Sequence, residues 1–375
     1  MRGPTVLLLA GEASGDEHGA ALATALRARS PGLRLIGMGG PRMAAAGVEL
    51  FAELDELAVM GVAEVLPRLP FFRRLERTIA SKLEDPAIEL VVPIDYPGFN
   101  MRIARTATRR GRRVLYYVAP KVWAWRPRRA RALAASTDRV AVILPFEAAF
   151  LARSGVRAEY VGHPLLDRPD ELEETGAFRA RWGLHPDRPV LALLPGSREQ
   201  EIRHHLDLFG RTALRVLDAR PDVQPVVSRA SHLARDLYRG LSLPVVDEAR
   251  GLLRTAQAAV VKSGTATLEA AIEATPSVVA YRTSALSYSV ARALVRTEHI
   301  ALPNLVAGAR IMPEYLQGAA TPETLAGAVL PLLDPDSPER AQQLEGFTRV
   351  RAALGAPGAA GRVAVIALEL MGRKT

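Results

Sequence analysis

Two consecutive doubly wound α/β domains are what the sequence predicts, and three observations carry that fold class. Short apolar runs alternate with helix-patterned segments along most of the chain, the sign of parallel βαβ units. The alternation lapses over residues 167–189, DRPDELEETGAFRARWGLHPDRP, and then restarts. After Pro322 only helical patterns remain. The expectation is an α/β protein of two Rossmann-like domains whose parallel sheets face a cleft.

In chain order, the first set of strands is expected at Thr5–Ala10, Leu33–Met38, Ile88–Ile94, Arg113–Val118, Arg139–Leu144 and Ala158–Val161. Helices such as Glu17–Arg29 and Asn100–Arg110 separate them. The charged, Pro-bearing lapse reads as a linker, which places a first domain at 1–166 and a second at 167–337. The second set of strands is Val190–Leu194, Val223–Val227, Leu243–Val246, Ala258–Val261 and Ser277–Ala280. Helices Glu323–Leu333, Pro338–Leu354 and Gly358–Met371 close the chain. In open parallel sheets ligands sit beyond the carboxyl ends of the strands, and each candidate site below falls at such an end.

Composition narrows the function classes. The chain has 375 residues, 49% hydrophobic and 24% charged, ordinary for about two globular domains. Cysteine is absent, which excludes a disulfide framework, a thiol nucleophile and a cysteine metal site. The apolar run Val6–Ala10 is too short for a signal-peptide core and Gly11-Glu12 interrupts it, so it reads as a buried strand. No run of about 18 apolar residues is present, and no transmembrane helix is expected. A formal net charge of +9 favours anionic partners: nucleic acid, an anionic membrane or a phosphorylated substrate.

Six stretches carry candidate chemistry. Gly11-Glu12-Ala13-Ser14-Gly15-Asp16 follows the first strand, with glycines that allow close approach and Ser14 or Asp16 able to cap a helix. It lacks the glycine spacing and the distant acidic residue of a dinucleotide site. Ile94-Asp95-Tyr96-Pro97-Gly98-Phe99-Asn100 places Asp95 at the end of an aliphatic strand, where a carboxylate can serve as general base or make local turn bonds. Lys121-Val122-Trp123-Ala124-Trp125-Arg126 precedes Arg128, Arg129 and Arg131. It suits stacking on a sugar face, an anionic head group, a single-strand platform or a plain basic helix. In residues 61–82, Leu66, Leu69, Phe71 and Phe72 interleave with Arg73, Arg74 and Arg77, which suits a bilayer interface or a core-packed amphipathic helix. Pro67 and Pro70 argue against one simple long helix there.

The other two constellations lie in the second half. Pro195-Gly196-Ser197-Arg198 joins a strand to a helix start, where free N–H groups and the helix dipole favour an anion and Arg198 adds a planar donor fork. Lys262-Ser263-Gly264-Thr265-Ala266-Thr267-Leu268-Glu269 ends another strand. Gly264 and Thr265 could hold phosphate and Glu269 a ribose, or a threonine could simply cap the helix. Together the two turns suggest a nucleoside diphosphate. The seven histidines show no metal-ligand spacing, and neither metal nor cofactor is expected.

In order along the chain, AGEASGD, GMGGPRM, LAVMGVAEVL, IDYPGFN, VWAWR, LPFE, VGHPLLD, LLPGSR, SGTATLE and LPNLVAG resemble the lipid-A-disaccharide synthase family. The likeness spans nearly the whole chain, least distinctly in the linker and the final helices. Lys121 stands where a small or polar residue is expected. The resemblance implies a GT-B fold, with the helices of about 338–375 returning to the first domain. It implies transfer of 2,3-diacylglucosamine from its UDP derivative to 2,3-diacylglucosamine 1-phosphate (lipid X), with inversion and release of UDP. Asp95 would be the base, and Gly196, Ser197 and Arg198 would stabilise the leaving diphosphate. Gly264, Thr265 and Glu269 would hold diphosphate and ribose, Asn304 matches a further site position, and Glu12, Ser14 and Asp16 would face the acceptor. The resemblance also implies the cytoplasmic face of an inner membrane, with residues 61–82 touching it, and a homodimer as one assembly. Two other readings stand beside it. One is a different GT-B UDP-sugar transferase or epimerase. The other is a nucleic-acid binder using the Arg clusters at 102–113 and 126–131, which leaves the phosphate turns unexplained.

Overall fold

The structure is a computed structural model that describes residues 3–54, 62–125, 128–168, 173–284, 288 and 297–373. The chain divides into two compact units, Met1–Arg168 with Ala356–Thr375, and Pro169–Gly355.

The first unit holds a seven-stranded sheet: β1 Thr5–Ala10, β2 Arg34–Gly39, β3 Glu49–Glu53, β4 Ile88–Ile94, β5 Arg113–Tyr117, β6 Arg139–Val142 and β7 Ala158–Tyr160. Its order is β3-β2-β1-β4-β5-β6-β7 and every pairing is parallel. All six residues of β1 are buried, as expected of a central strand covered on both faces. The second unit repeats the plan with β8 Val190–Leu194, β9 Gln224–Ser228, β10 Val245–Val246, β11 Ala258–Lys262, β12 Ser277–Tyr281 and β13 Glu314–Leu316. Its order is β10-β9-β8-β11-β12-β13, again all parallel. In each sheet the winding direction reverses beside the first strand, between β1 and β4 and between β8 and β11. That reversal is where open α/β sheets leave a crevice for ligands.

The expected central strands are present, whereas β3 and β13 are strands the apolar pattern did not reveal. Both are short edge strands with glutamate at a terminus, so neither forms an apolar run. Glu49 of β3 is instead paired with Arg34 of β2 at 2.5 Å. The expected linker contains a helix, Thr175–Arg181. Phe178 and Leu184 pack there with Val190, Ala192 and Val261 of the second sheet, so much of that segment belongs to the second core.

The C-terminal helices part company. Pro338–Leu354 does not return to the first unit as expected: it buries Gln343, Gly346, Phe347 and Val350 within the second. Only Ala359–Leu370 returns, placing Val363, Ala364 and Ala367 with Leu22 and Leu26 of the first helix, Ala13–Arg29. Its start is pinned by Asp167, whose carboxylate accepts the N–H groups of Gly358 (2.6 Å), Ala359 (3.2 Å) and Ala360 (3.2 Å). A window within Pro338–Leu370 is long and apolar enough to cross a membrane by length and composition. That stretch is two helices, parted by Gly355 at φ 71° and Gly358 at φ 105°.

The segment read as a membrane face forms one helix, Val62–Lys82, through both prolines. Its inner side supplies the reason: Phe72, Leu75 and Ile79 are buried with Leu7, Leu9, Phe99 and Ile103 on one face of the first sheet. Phe72 packs on Phe99 with ring centres 6.0 Å apart. The membrane contact expected of Phe72 is therefore corrected, because this ring is core. Phe71 is half-buried, whereas Leu69, Arg73 and Arg74 are exposed. The Leu66 side chain, residues 55–61 (which include the start of the LAVMGVAEVL stretch), Arg126 and Pro127 lie outside the described residues. Phe72→Ala should cost about 3–5 kcal/mol in urea unfolding, and Leu69→Ala no more than about 0.5 kcal/mol. Equal effects would contradict this division of the helix.

Candidate active site

In the first unit the candidate base sits at the β1/β4 reversal. Asp95 follows β4 with φ 45° and Tyr96 follows it with φ 49°, two successive non-glycine residues in the left-handed region. Neighbouring groups fix this backbone. The Asp95 N–H donates to the Tyr117 carbonyl at 2.9 Å. Its carbonyl accepts the Tyr116 hydroxyl at 2.8 Å and the Asn100 amide at 2.9 Å. The same Asn100 amide donates to the Leu9 and Ile94 carbonyls, both at 3.1 Å, and so ties the end of β1 to the end of β4. Asn100 was expected to open the next helix; that helix starts earlier, at Pro97, and Asn100 is buried inside it. Gly11 lets the Tyr96 ring lie against the turn after β1, where any Cβ would collide with it.

Burial pushes the Asp95 carboxyl up to about 6, with the Glu12 carboxylate adding to the rise and the Lys121 ammonium opposing it. Glu12 also accepts the Ser14 hydroxyl at 2.9 Å. Asp16 behaves otherwise. It is buried, and its carboxylate accepts the N–H groups of Gly40 (2.7 Å), Met43 (3.0 Å) and Arg42 (3.1 Å). A Cβ on Gly40 would crowd this carboxylate at 2.7 Å. The acceptor-facing role expected of Asp16 is corrected: it fastens the GMGGPRM turn to the first helix.

Glu147, in LPFE, is a residue the sequence reading left without a role. It is buried and accepts the Trp123 indole N–H at 2.9 Å and the Leu144 N–H at 3.0 Å. Burial pushes its carboxyl up to about 7 against those two hydrogen bonds and the Lys121 charge. Trp123 stacks edge-on against Phe146, with centroids 5.1 Å apart. The out-of-pattern Lys121 thus lies within the electrostatic reach of both raised carboxyls. His163 is held neutral down to about pH 3, by burial first and then by the positive charge nearby; its Nδ1 accepts the Leu165 N–H.

In the second unit, the Pro195–Arg198 turn follows β8 with Gly196 at φ 129°. A Cβ there would meet Glu201 at 2.6 Å, so the turn closes on that side chain. Glu201 accepts the N–H groups of Ser197 (3.0 Å) and Arg198 (3.3 Å) and the Lys262 ammonium (2.6 Å). The two turn N–H groups expected to cradle phosphate are therefore engaged by a carboxylate of the following helix. The Arg198 guanidinium is 65% exposed and 3.7 Å from Glu201. Neither Glu201 nor Lys262 was assigned a role from sequence; the signal was Glu201 standing three residues after the cap, the spacing of a capping box.

The turn after β11 places Gly264 at φ 157° ahead of the helix Thr265–Ile272. Thr265 is exposed and Glu269 half-buried. The Thr267 hydroxyl donates to the Gly264 carbonyl at 2.7 Å and accepts the Leu302 N–H at 3.3 Å. Asn304, expected at the ligand, is fully buried. Its amide donates to the Met312 carbonyl and to Glu314, and its carbonyl accepts the Ile311 and Met312 N–H groups, all at 2.8 Å. That side chain is saturated, so the expectation of ligand contact is corrected. Asn304 fixes the loop whose Leu302 N–H and Ile300 carbonyl dock on Thr267 and Ser263.

Two all-parallel α/β units, each with its polar residues gathered where the winding reverses, define the GT-B fold of glycosyltransferases. A solved structure, the glycotransferase of kitacinnamycin, shares the fold with TM-score 0.67 at 18% identity, over 99% of this chain and 100% of that one. Residues 6–356 match the lipid-A-disaccharide synthetase family, and the chain belongs to it. The lipid-A-disaccharide synthase of Myxococcus xanthus is 42% identical over 375 residues, 98% of each chain. That of Syntrophus aciditrophicus is 41% identical over 379 residues, 99% of each.

The raised Asp95 carboxyl makes stability depend on pH. A native pKa of about 6 against an ordinary 3.8 means the folded state binds the proton more tightly. The stabilisation this gives is complete below about pH 3.8 and is lost as pH rises through about 6. Above that pH the half-buried charge is a cost, which Asp95→Asn removes. Urea unfolding at pH 8 should find Asp95→Asn more stable by up to about 3 kcal/mol. At pH 4 the gain should disappear; a gain independent of pH would refute this origin.

Proposed function

We propose that the chain is an inverting glycosyltransferase that forms the β(1→6) bond of the lipid A disaccharide. The donor is UDP-2,3-diacylglucosamine and the acceptor is lipid X. The observation that carries this reading is Asp95, in a family member, held by its backbone at the sheet's reversal with its carboxyl raised toward neutrality. Such a group is ionised at pH 7 yet basic enough to take a proton from a sugar hydroxyl.

In the proposed step, the acceptor 6-hydroxyl oxygen attacks the anomeric carbon while its proton passes to the Asp95 carboxylate. The bond from the anomeric carbon to the diphosphate oxygen breaks, and UDP leaves with the electron pair. Attack opposite the leaving group inverts the centre. Arg198 offers the planar donor fork that suits the charge developing on the diphosphate, and the Gly264-Thr265 helix start offers free N–H groups. Ser197 contributes its exposed hydroxyl rather than its N–H. Glu269 is proposed to accept from the ribose, and Glu12 and Ser14 to border the acceptor. Glu12 also keeps Asp95 basic through its charge. No metal or cofactor enters this scheme.

Both substrates are acylated, so we also assign the enzyme to the cytoplasmic face of the inner membrane. Exposed Leu69, Arg73 and Arg74 on one side of the Val62–Lys82 helix support that assignment, with the arginines at lipid phosphates. A homodimer rests on the family resemblance alone.

Mass spectrometry of the product from defined acylated substrates tests the reaction. Asp95→Ala should lower kcat by about 100-fold or more. Arg198→Ala should lower it by about 10- to 1000-fold. Wild-type turnover in both variants would dismiss these assignments. Arg73→Glu with Arg74→Glu should weaken sedimentation with anionic liposomes by about tenfold. Unchanged partitioning would remove this helix from the membrane contact.

A further inference from the structure

We propose that Lys262 is an additional donor-site residue that contacts the leaving diphosphate, and that Glu201 is the positioning residue that sets it there. Sheet register brings the two turns together: Val261 of β11 is paired with Leu194 of β8, so Lys262 emerges beside Pro195. Glu201 then bridges them, with one carboxylate on the N–H groups of Ser197 and Arg198 and on the Lys262 ammonium at 2.6 Å. Both partners are largely buried, at 13% and 17% side-chain exposure, which makes the bridge a fixed part of the unit.

The Lys262 ammonium also lies 5.6 Å from the centre of the Tyr281 ring. It stands 3.5 Å from the point where a Cβ on Gly264 would be. It therefore sits against the glycine that opens the helix Thr265–Ile272. A Cβ at Gly264 would be in ordinary van der Waals contact with this ammonium, which places the ammonium at the mouth of the turn. Arg198 and Lys262 bring two positive charges and Glu201 one negative. A diphosphate ester carries two negative charges and gains another as the sugar departs. Arg198 alone leaves the cluster neutral against that charge; Lys262 makes it cationic. An ammonium with three donors can serve a carboxylate and a phosphate oxygen at once.

This inference rests on the second unit being the donor site, and the test separates the two. Binding of UDP and of uridine is measured by calorimetry on the wild type and on folded Lys262→Met, Lys262→Arg and Glu201→Gln proteins. Lys262→Met should weaken UDP by at least about tenfold and leave uridine unchanged. Lys262→Arg should recover most of that loss. Glu201→Gln should weaken UDP by a smaller factor, since its amide oxygen still accepts the turn's N–H groups but no longer holds the ammonium by charge. Wild-type UDP affinity in Lys262→Met, or an equal loss of UDP and uridine, overturns the assignment of Lys262. Wild-type affinity in Glu201→Gln overturns that of Glu201. A wild-type protein that fails to bind UDP sinks the donor-site reading itself.

Discussion

The carboxamide of Asn100 joins the carbonyls of Leu9, Ile94 and Asp95, and much of the first unit's chemistry depends on that junction. Parallel strands on either side of a winding reversal have no direct connection there, and their last carbonyls would be left in a buried place without donors. The Asn100 amide reaches all three and, with Tyr116 and Tyr117, holds the left-handed turn after β4. The Asp95 carboxyl is a consequence of this arrangement. It is half-buried in a turn that is fastened down, and that partial burial is the largest cause of its raised proton affinity.

The second unit solves the same problem with charge. There the turn after β8 is fastened by Glu201 and the turn after β11 by the lysine that Glu201 holds. One unit carries a raised carboxyl at its strand ends and the other a carboxylate-held lysine, although the two sheets are built to one plan. The difference lies in a few side chains at the strand ends, where a shared fold leaves room for separate chemistry.

Central strands and the turns after β8 and β11 were legible in the sequence because they are written in contiguous residues: an aliphatic run, then glycine, then a helix former. Edge strands β3 and β13 were hidden, since a strand with one partner needs no apolar run. Among the candidate site residues, Asp95 and Arg198 stand out by their position after a strand. Asp16 and Asn304 look the same in sequence as ligand contacts, because a short polar side chain at a turn can face either a ligand or the backbone. Only the partners 24 to 27 residues away for Asp16, and 7 to 10 away for Asn304, decide between these. Phe72 was misread for a related reason. A helix with arginines on one side and aromatics on the other has the same pattern whether the aromatics meet lipid or a sheet.

The Asp167 carboxylate on the start of the last helix has a temporal meaning. The first unit is made of two pieces of chain separated by the whole of the second. On the ribosome its seven strands emerge long before residues 359–370, which must cover the apolar face of the first helix. Until then that face has no permanent cover, while the second unit is continuous and can complete itself. Residues 356–375, which complete the first unit, are thus made only after the whole of the second.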